Sequence, residues 1–304
     1  MPLVSEPELP GKKEWLWDGE FSCCGRYRSI MEFFRFLIDR RPEPITLILP
    51  SSDGILRDAK IGCDLIDMKD IDKVRTKDTP YIIVALCTRS FKDDRILYFP
   101  LDDCSFVYGV NYHVDSRITN QIPWNARLPI AYWRGGVSGG SYPTIRTDFM
   151  QKFCDSKIID AKFLRNWASP DRIGPISIYD TRIFDTERRD INDHIRHKYI
   201  FIIDGACIAS ALQWVFASGS VPILVTHPDN EYWFRRYLRP GFHCVVVNYD
   251  LTDVEEKIQW LIDHDKEAEM IARNAREFSS VIFTPEFQQN HLAKEVERIL
   301  ALPV

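Results

Sequence analysis

The densest group of residues able to do chemistry is AYWRGGVSGG at 131–140. Trp133 and Arg134 close an apolar stretch, and Gly135, Gly136, Gly139 and Gly140 follow. Glycines past a strand let the backbone come close to an anion, and an arginine fork can bind phosphate in a bidentate manner. Arg146 follows within reach. The competing reading is a flexible hairpin whose arginine makes a surface ion pair. A second group is KYIFIIDGACIASALQWVFASGSVPIL at 198–224. There an apolar strand ends in Asp204 and Gly205, and a helix of small residues is expected over 206–218. A helix start offers unpaired N–H groups and the positive end of its dipole to an anion. Gly205, Ala206, Ala209 and Ser210 leave room for a ligand, although small residues also suit a helix packed tightly on a sheet. The third group is acidic: Asp93, Asp94, Asp102 and Asp103 flank a short strand in FKDDRILYFPLDDCSF. A carboxylate here can serve as general base, or the run is a solvated acidic loop.

Other chemistries find no support. The paired aspartates lack a D-x-D metal spacing, and the seven histidines show no metal-ligand pattern. His194 and His197 share a helical face without a third ligand. There is no G-x-S-x-G elbow, Walker A loop or kinase set. The eight cysteines include no C-x2-C pair. Cys87, Cys207 and Cys244 sit in apolar runs, where a free thiol packs as a small hydrophobe. The vicinal Cys23–Cys24 pair suggests redox chemistry weakly, against two ordinary thiols near a helix start. With no glycosylation sequon either, the cytosol is the expected compartment.

These groups need elements to position them. Short apolar runs alternating with amphipathic stretches indicate an α/β chain. Strands are predicted at 45–50, 81–87, 129–135, 199–204, 221–225 and 243–249. Helices are predicted at 27–40, 147–154, 206–218, 231–238, 252–264, 266–282 and 287–302. Gly219 suits the position just past a helix end. For the helix from 252, Thr252 and Glu255 have capping-box spacing, and Val254, Ile258, Leu261 and Ile262 form one apolar stripe. The irregular stretch 104–130 marks a boundary between a domain at 1–125 and a nucleotide-binding α/β domain at 126–286. The segment 287–304 is expected to cross back onto the first domain. Two such domains leave a cleft between them, a usual ligand site. A net charge of −5 disfavours a general nucleic-acid binder. No signal peptide and no stretch of membrane-spanning length is visible, so the expectation is a soluble, cytoplasmic protein.

Taken in order, EWLWDGEF, ITLILPSSDG, FKDDRILYFP, AYWRGG, KYIFIIDGACIAS and the long block from GSVPILVTHPDNEYW onward resemble glycosyltransferase family 90. That group includes protein O-glucosyltransferases and fungal and viral xylosyltransferases. The resemblance covers nearly the whole chain, with AYWRGG its most specific motif. It implies a GT-B architecture, two Rossmann-like domains facing a central cleft. It also implies inverting, metal-independent transfer of xylose, slightly favoured, or glucose from UDP-xylose or UDP-glucose to a hydroxyl of a glycan or protein acceptor, with no cofactor. By position, Arg134, Gly135, Gly136 and Arg146 match the diphosphate side. Gly205 to Ser210 match the loop that cradles the diphosphate, with Ala206 and Ala209 in it. Asp229 or Glu231 matches an acidic residue near the nucleotide. The base falls on Asp94, then Asp93, with Asp102 or Asp103 behind. One departure is Ala211, where family members commonly carry an arginine. Losing that charge-assisted bond costs about 1.5–3 kcal/mol unless another basic residue substitutes. The same resemblance leaves open a binding protein that kept the fold without catalysis.

Overall fold

The computed structural model describes residues 15–16, 46–48, 55–56, 80–100, 122–137, 143–165, 173–187, 189–205, 208–209 and 211–303. The helix expected over 27–40 lies outside the described residues. So do Cys23, Cys24, Cys63, Cys104, Cys207, Asp102, Asp103, Gly139, Gly140, Ala206 and Ser210.

The first half contributes β1 (Trp15–Leu16), β2 (Thr46–Ile48), β3 (Ile55–Leu56), β4 (Tyr81–Ala85), β5 (Thr88–Arg89) and β6 (Ile96–Tyr98). The second half begins with β7 (Leu128–Gly135), α1 (Ile145–Phe153), β8 (Ile159–Leu164), β9 (Phe184–Asp185), α2 (Ile191–His194) and β10 (His197–Ile203). It continues with α3 (Leu212–Ala217), β11 (Val221–Val225), β12 (Asn230–Glu231), β13 (Val245–Val246), α4 (Val254–Asp263), α5 (Asp265–Ile282) and α6 (Pro285–Leu300).

Three sheets result. A parallel sheet of the first half runs β1-β2-β4-β6, and a six-stranded parallel sheet of the second half runs β13-β11-β10-β7-β8-β9. The larger sheet starts in its middle with β7, winds outward through β8 and β9, then returns to β10 on the other side of β7. That is the doubly wound order, with its reversal between β7 and β10. The third sheet, β12-β5-β3, joins the halves: β5 pairs antiparallel with β12 of the second half and parallel with β3 of the first.

The central strand explains this order. Every residue of β10, HKYIFII, is buried. A strand covered on both faces needs such a near-continuous apolar run. Tyr199, Phe201 and Ile203 pack in one core with Phe149 of α1 and Ile258 and Leu261 of α4. Ile200 and Ile202 pack in another with Trp214 and Phe216 of α3 and Phe278 of α5. Each large apolar side chain so enclosed contributes roughly 1.5–3 kcal/mol. By contrast β8, IDAKFL, alternates buried and half-buried positions. Its charged Asp160 and Lys162 hid it among the apolar runs.

The helices differ from expectation at their starts. α3 begins at Leu212 rather than 206, but it ends as expected, with Gly219 at φ +75° turning the chain toward β11. The stretch 231–238 is β12 followed by a 3-10 turn, Arg235–Tyr237, rather than an α-helix. The capping box of α4 does not form. Asp253 is the N-cap residue, and Thr252 instead donates its hydroxyl to Asp250 Oδ1 at 2.7 Å. A nearer carboxylate competes successfully for that hydroxyl. The α4 stripe holds: Val254, Ile258 and Leu261 are buried. α6 opens with Pro285 after the Thr284 cap, and it packs on β4 and β6 of the first sheet. Cys244 is a buried free thiol, as its apolar run suggested. Cys87 is not free; it is disulfide-bonded. Burial serves a packed thiol and a disulfide equally, so the apolar run could not separate the two. Among the described residues, no helix is long and apolar enough to cross a membrane.

Candidate active site

In a doubly wound sheet, ligands bind beyond the carboxyl ends of the strands, where the winding reverses. Here that point lies between Gly135–Gly136, ending β7, and Asp204–Gly205, ending β10. Arg146, in the first turn of α1, clamps the two ends together. Its Nη1 donates to Gly136 O at 2.8 Å, its Nη2 to Ile203 O at 2.7 Å, and its Nε to Asp204 O at 3.0 Å. The guanidinium also lies 5.4 Å from the centre of the Trp133 ring. Burial, only partly offset by the neighbouring Asp204, lowers its pKa to about 10. Gly135 seats the same indole: a Cβ at that position would lie 2.4 Å from Trp133 Cζ2. Thus Gly135 serves a close approach of side chain to backbone, and Arg146 fixes the spacing of the two strand ends.

Arg134 lies on the opposite face of β7 from Trp133, as strand alternation requires. Its Nε meets Asp185 Oδ2 at 2.9 Å and its Nη2 meets Asp160 Oδ1 at 2.8 Å, while Nη1 donates to two backbone carbonyls. The side chain is 5% exposed. Burial raises the Asp185 pKa, but bonds from Arg134, the Glu187 amide and Arg189 outweigh it and hold the carboxyl at about 2. The two arginines expected on the diphosphate side are therefore not brought together on one face. One lies at the strand ends, and the other joins an ion-pair network with Asp160 and Asp185.

Asp204 is the centre of a buried polar cluster. Its Oδ2 accepts from the His227 amide at 2.8 Å and from Asn230 Nδ2 at 2.6 Å. Arg89, from β5, donates its Nε to Asn230 Oδ1 at 2.8 Å and holds Nη2 3.9 Å from Asp204 Oδ2. That Nη2 is buried and has no hydrogen-bond partner among the described residues. The His227 ring meets Tyr249 edge-on at 4.9 Å. Nearby, Ser90 donates to Asp229 Oδ2 at 2.8 Å, and Glu231 pairs with Thr88 in the small sheet. Thr88 and Tyr98 share a hydroxyl hydrogen bond of 2.8 Å. The C-terminal ends of β4 and β6 therefore meet the C-terminal ends of β10 and β11 across the small sheet. Arg89 and Asn230 were missed in the sequence because their pairing spans 141 residues.

The acidic group divides. Asp93 folds onto its own loop, accepting from the Arg95 amide at 2.8 Å. Asp94 is exposed at the N-terminal end of β6, where its carbonyl accepts from Arg298 of α6 at 3.0 Å. This is the end of the strand away from Tyr98 and the small sheet. Asp102 and Asp103 follow Pro100 and lie outside the described residues. Ala209 is buried in the α3 core, and Ala211 is the N-cap position of α3 without a side-chain bond. Among the described residues no group of three or more His, Cys, Asp or Glu side chains could hold a metal ion.

Burial of Asp204 outweighs the His227 amide and the nearby arginines, and its pKa is pushed up to about 6. A carboxyl that holds its proton more tightly when folded adds stability at acid pH. That contribution is complete below about 4, the unfolded value, and is lost as pH rises through the folded value. Asp204→Asn cannot titrate. Urea unfolding should therefore show wild-type stability declining relative to Asp204→Asn between about pH 4 and 6, by up to about 3 kcal/mol. A constant difference across that window would mean that the carboxyl stays ionised.

Against known proteins, the family model described as "Glycosyl transferase family 90" matches residues 112–285, more than half of the chain. Uncharacterized protein 179R of Invertebrate iridescent virus 6 is 27% identical over 206 residues, 57% of this chain and 17% of that protein. Protein O-glucosyltransferase 1 of Rattus norvegicus is 28% identical over 167 residues, 53% of this chain and 39% of that protein. The chain thus spans less than half the length of these relatives. Among solved structures, Anabaena Alr3699/HepE in complex with UDP and glucose has a TM-score of 0.50 at 12% identity, covering 90% of this chain and 76% of that one.

Proposed function

The chain belongs to glycosyl transferase family 90 and has the α/β GT-B fold, and on that premise we propose that it is a UDP-sugar-dependent glycosyltransferase. It would move glucose or xylose to a hydroxyl of a glycan or protein acceptor. The observation that carries this reading is the meeting of strand ends from the two larger sheets. There the switch point of the large sheet, braced by Arg146, meets the C-terminal ends of the first sheet through β5 and β12. The names of the rat relative and the Anabaena complex favour glucose over xylose as the transferred sugar.

In an inverting transfer, a base takes the acceptor proton as the oxygen attacks C1, and charge builds on the departing UDP. We assign the leaving-group side to the loop after β10, Gly205 to Ser210, and to Arg89. Its buried Nη2, without a hydrogen-bond partner among the described residues, would supply the guanidinium that Ala211 lacks. Arg134 and Arg146 then act through the strand ends they brace rather than by touching phosphate. Asp229 and Glu231 flank the nucleotide side. The base is assigned to Asp102 or Asp103 ahead of Asp94 and Asp93, because they follow the end of β6 that meets the small sheet. No metal is required by this scheme.

The test is UDP release from UDP-glucose and UDP-xylose, with and without EDTA. Release from either donor that survives EDTA is expected and fixes the sugar. Release abolished by EDTA would overturn the metal-free scheme. Intact UDP binding without release, even with acceptor glycans present, would favour a binding protein.

A further inference from the structure

At the other end of the large sheet lies a second concavity, a cavity of about 300 Å³ lined by Trp124, Arg127, Gly219, Glu269, Arg273 and Arg276 among others. β7 begins just after Arg127 and β11 just after Gly219 and Ser220, so the cavity sits at the N-terminal ends of these strands. The eight residues of β7 separate it from Gly135, a distance of about 25 Å. It is therefore separate from the strand ends at which the donor is proposed to bind.

Its charge is unbalanced. Arg127 is buried, and its donors reach only neutral acceptors: Ile122 O at 3.0 Å, Ser220 Oγ at 2.6 Å and Ser218 O at 3.0 Å. No carboxylate lies within ion-pair distance of it among the described residues. Burial, and then the charge of Arg276, lower its pKa to about 10. α5 adds Arg273 and Arg276, one turn apart on a shared face. The one carboxylate lining the cavity, Glu269, meets Arg273 only at 3.9 Å, with both side chains well exposed. Asp265 nearby is already taken by Lys198 Nζ at 2.5 Å and by the Trp124 indole N–H at 3.2 Å. Three arginines thus line the cavity with one glutamate, in a chain whose net charge is −5. A buried charge without a counter-ion is costly, and an anion in the cavity would remove that cost. Arginine forks match the oxygens of a phosphate group.

We propose that this cavity is an oxyanion site that takes a phosphate group, either free inorganic phosphate or the phosphate ester of a small sugar. The volume exceeds that of the bare ion, which favours the ester. The site does not depend on transferase activity, so its test reads binding alone. Calorimetry on the full chain with inorganic phosphate and with glucose 6-phosphate should show one saturable site. R273A/R276A changes two exposed side chains and should keep the wild-type melting profile while binding about tenfold or more weakly. A tighter ester identifies a sugar phosphate as the occupant, and equal affinities identify the free ion. No saturable binding of either probe, or equal affinity in the double variant, would overturn the proposal. So would displacement of the bound phosphate by UDP, since that would make the two sites one.

Discussion

Asp102→Asn or Asp103→Asn should lower glycosyl transfer by about 10²–10⁴-fold, while UDP affinity stays within about twofold. The amide keeps the size of the carboxylate but cannot take the acceptor proton, and a base acts at the acceptor hydroxyl rather than on the nucleotide. Asp94→Asn should leave turnover near normal. Its side chain is exposed at the N-terminal end of β6, and its backbone carbonyl meets Arg298 of α6, a full strand away from the Thr88–Tyr98 hydroxyl pair. Single-turnover transfer with the three variants decides the matter. If Asp94→Asn alone loses activity, then the base comes from the far end of β6, and the assignment made from the strand ends fails.

Asp204→Ala should destabilise the folded chain by about 3–5 kcal/mol, the range for stripping one partner from a buried charged pair. The loss is large because two donors lose their acceptor and one guanidinium loses its counter-ion together. The His227 amide and Asn230 Nδ2 both donate to Asp204 Oδ2, and Arg89 keeps its charge in a site 5% exposed. Combining Asp204→Ala with Arg89→Met should recover a good part of the loss, because it removes the orphaned charge as well. Denaturant midpoints of the single and double variants test this. A single variant within about 1 kcal/mol of wild type would mean that water or another donor group reaches the cluster.

Much of the second half could be read from the chain because its strands are apolar on both faces. YIFIID and VPILV fall within about a residue or two of β10 and β11 as observed. The glycines after β7 and the Asp204–Gly205 pair were recognisable as strand ends, and strand ends at a winding reversal are where such a fold binds ligands. What could not be read was the direction in which each arginine points. Arg134 and Arg146 were both expected on the diphosphate side, yet one pairs with Asp160 and Asp185 while the other caps backbone carbonyls. Strand alternation separates Arg134 from Trp133, but nothing local says which face holds the carboxylates. The small sheet was invisible for a related reason. β5 and β12 have two residues each, and neither pairs with a neighbour in sequence. It is defined by pairings between residues far apart in the sequence.

The return of α6 onto β4 and β6 has a consequence for synthesis. A chain emerging from the ribosome presents the strands of the first sheet early, but the helix that covers them last. Until Pro285–Leu300 is made, β4 and β6 of that sheet lack the helix that packs on them. The second half, with its own helices on both faces of β10, has no such wait. Maturation of this chain thus runs against the order of translation: the later-made sheet can close first, and the earlier-made sheet is sealed by the last helix described.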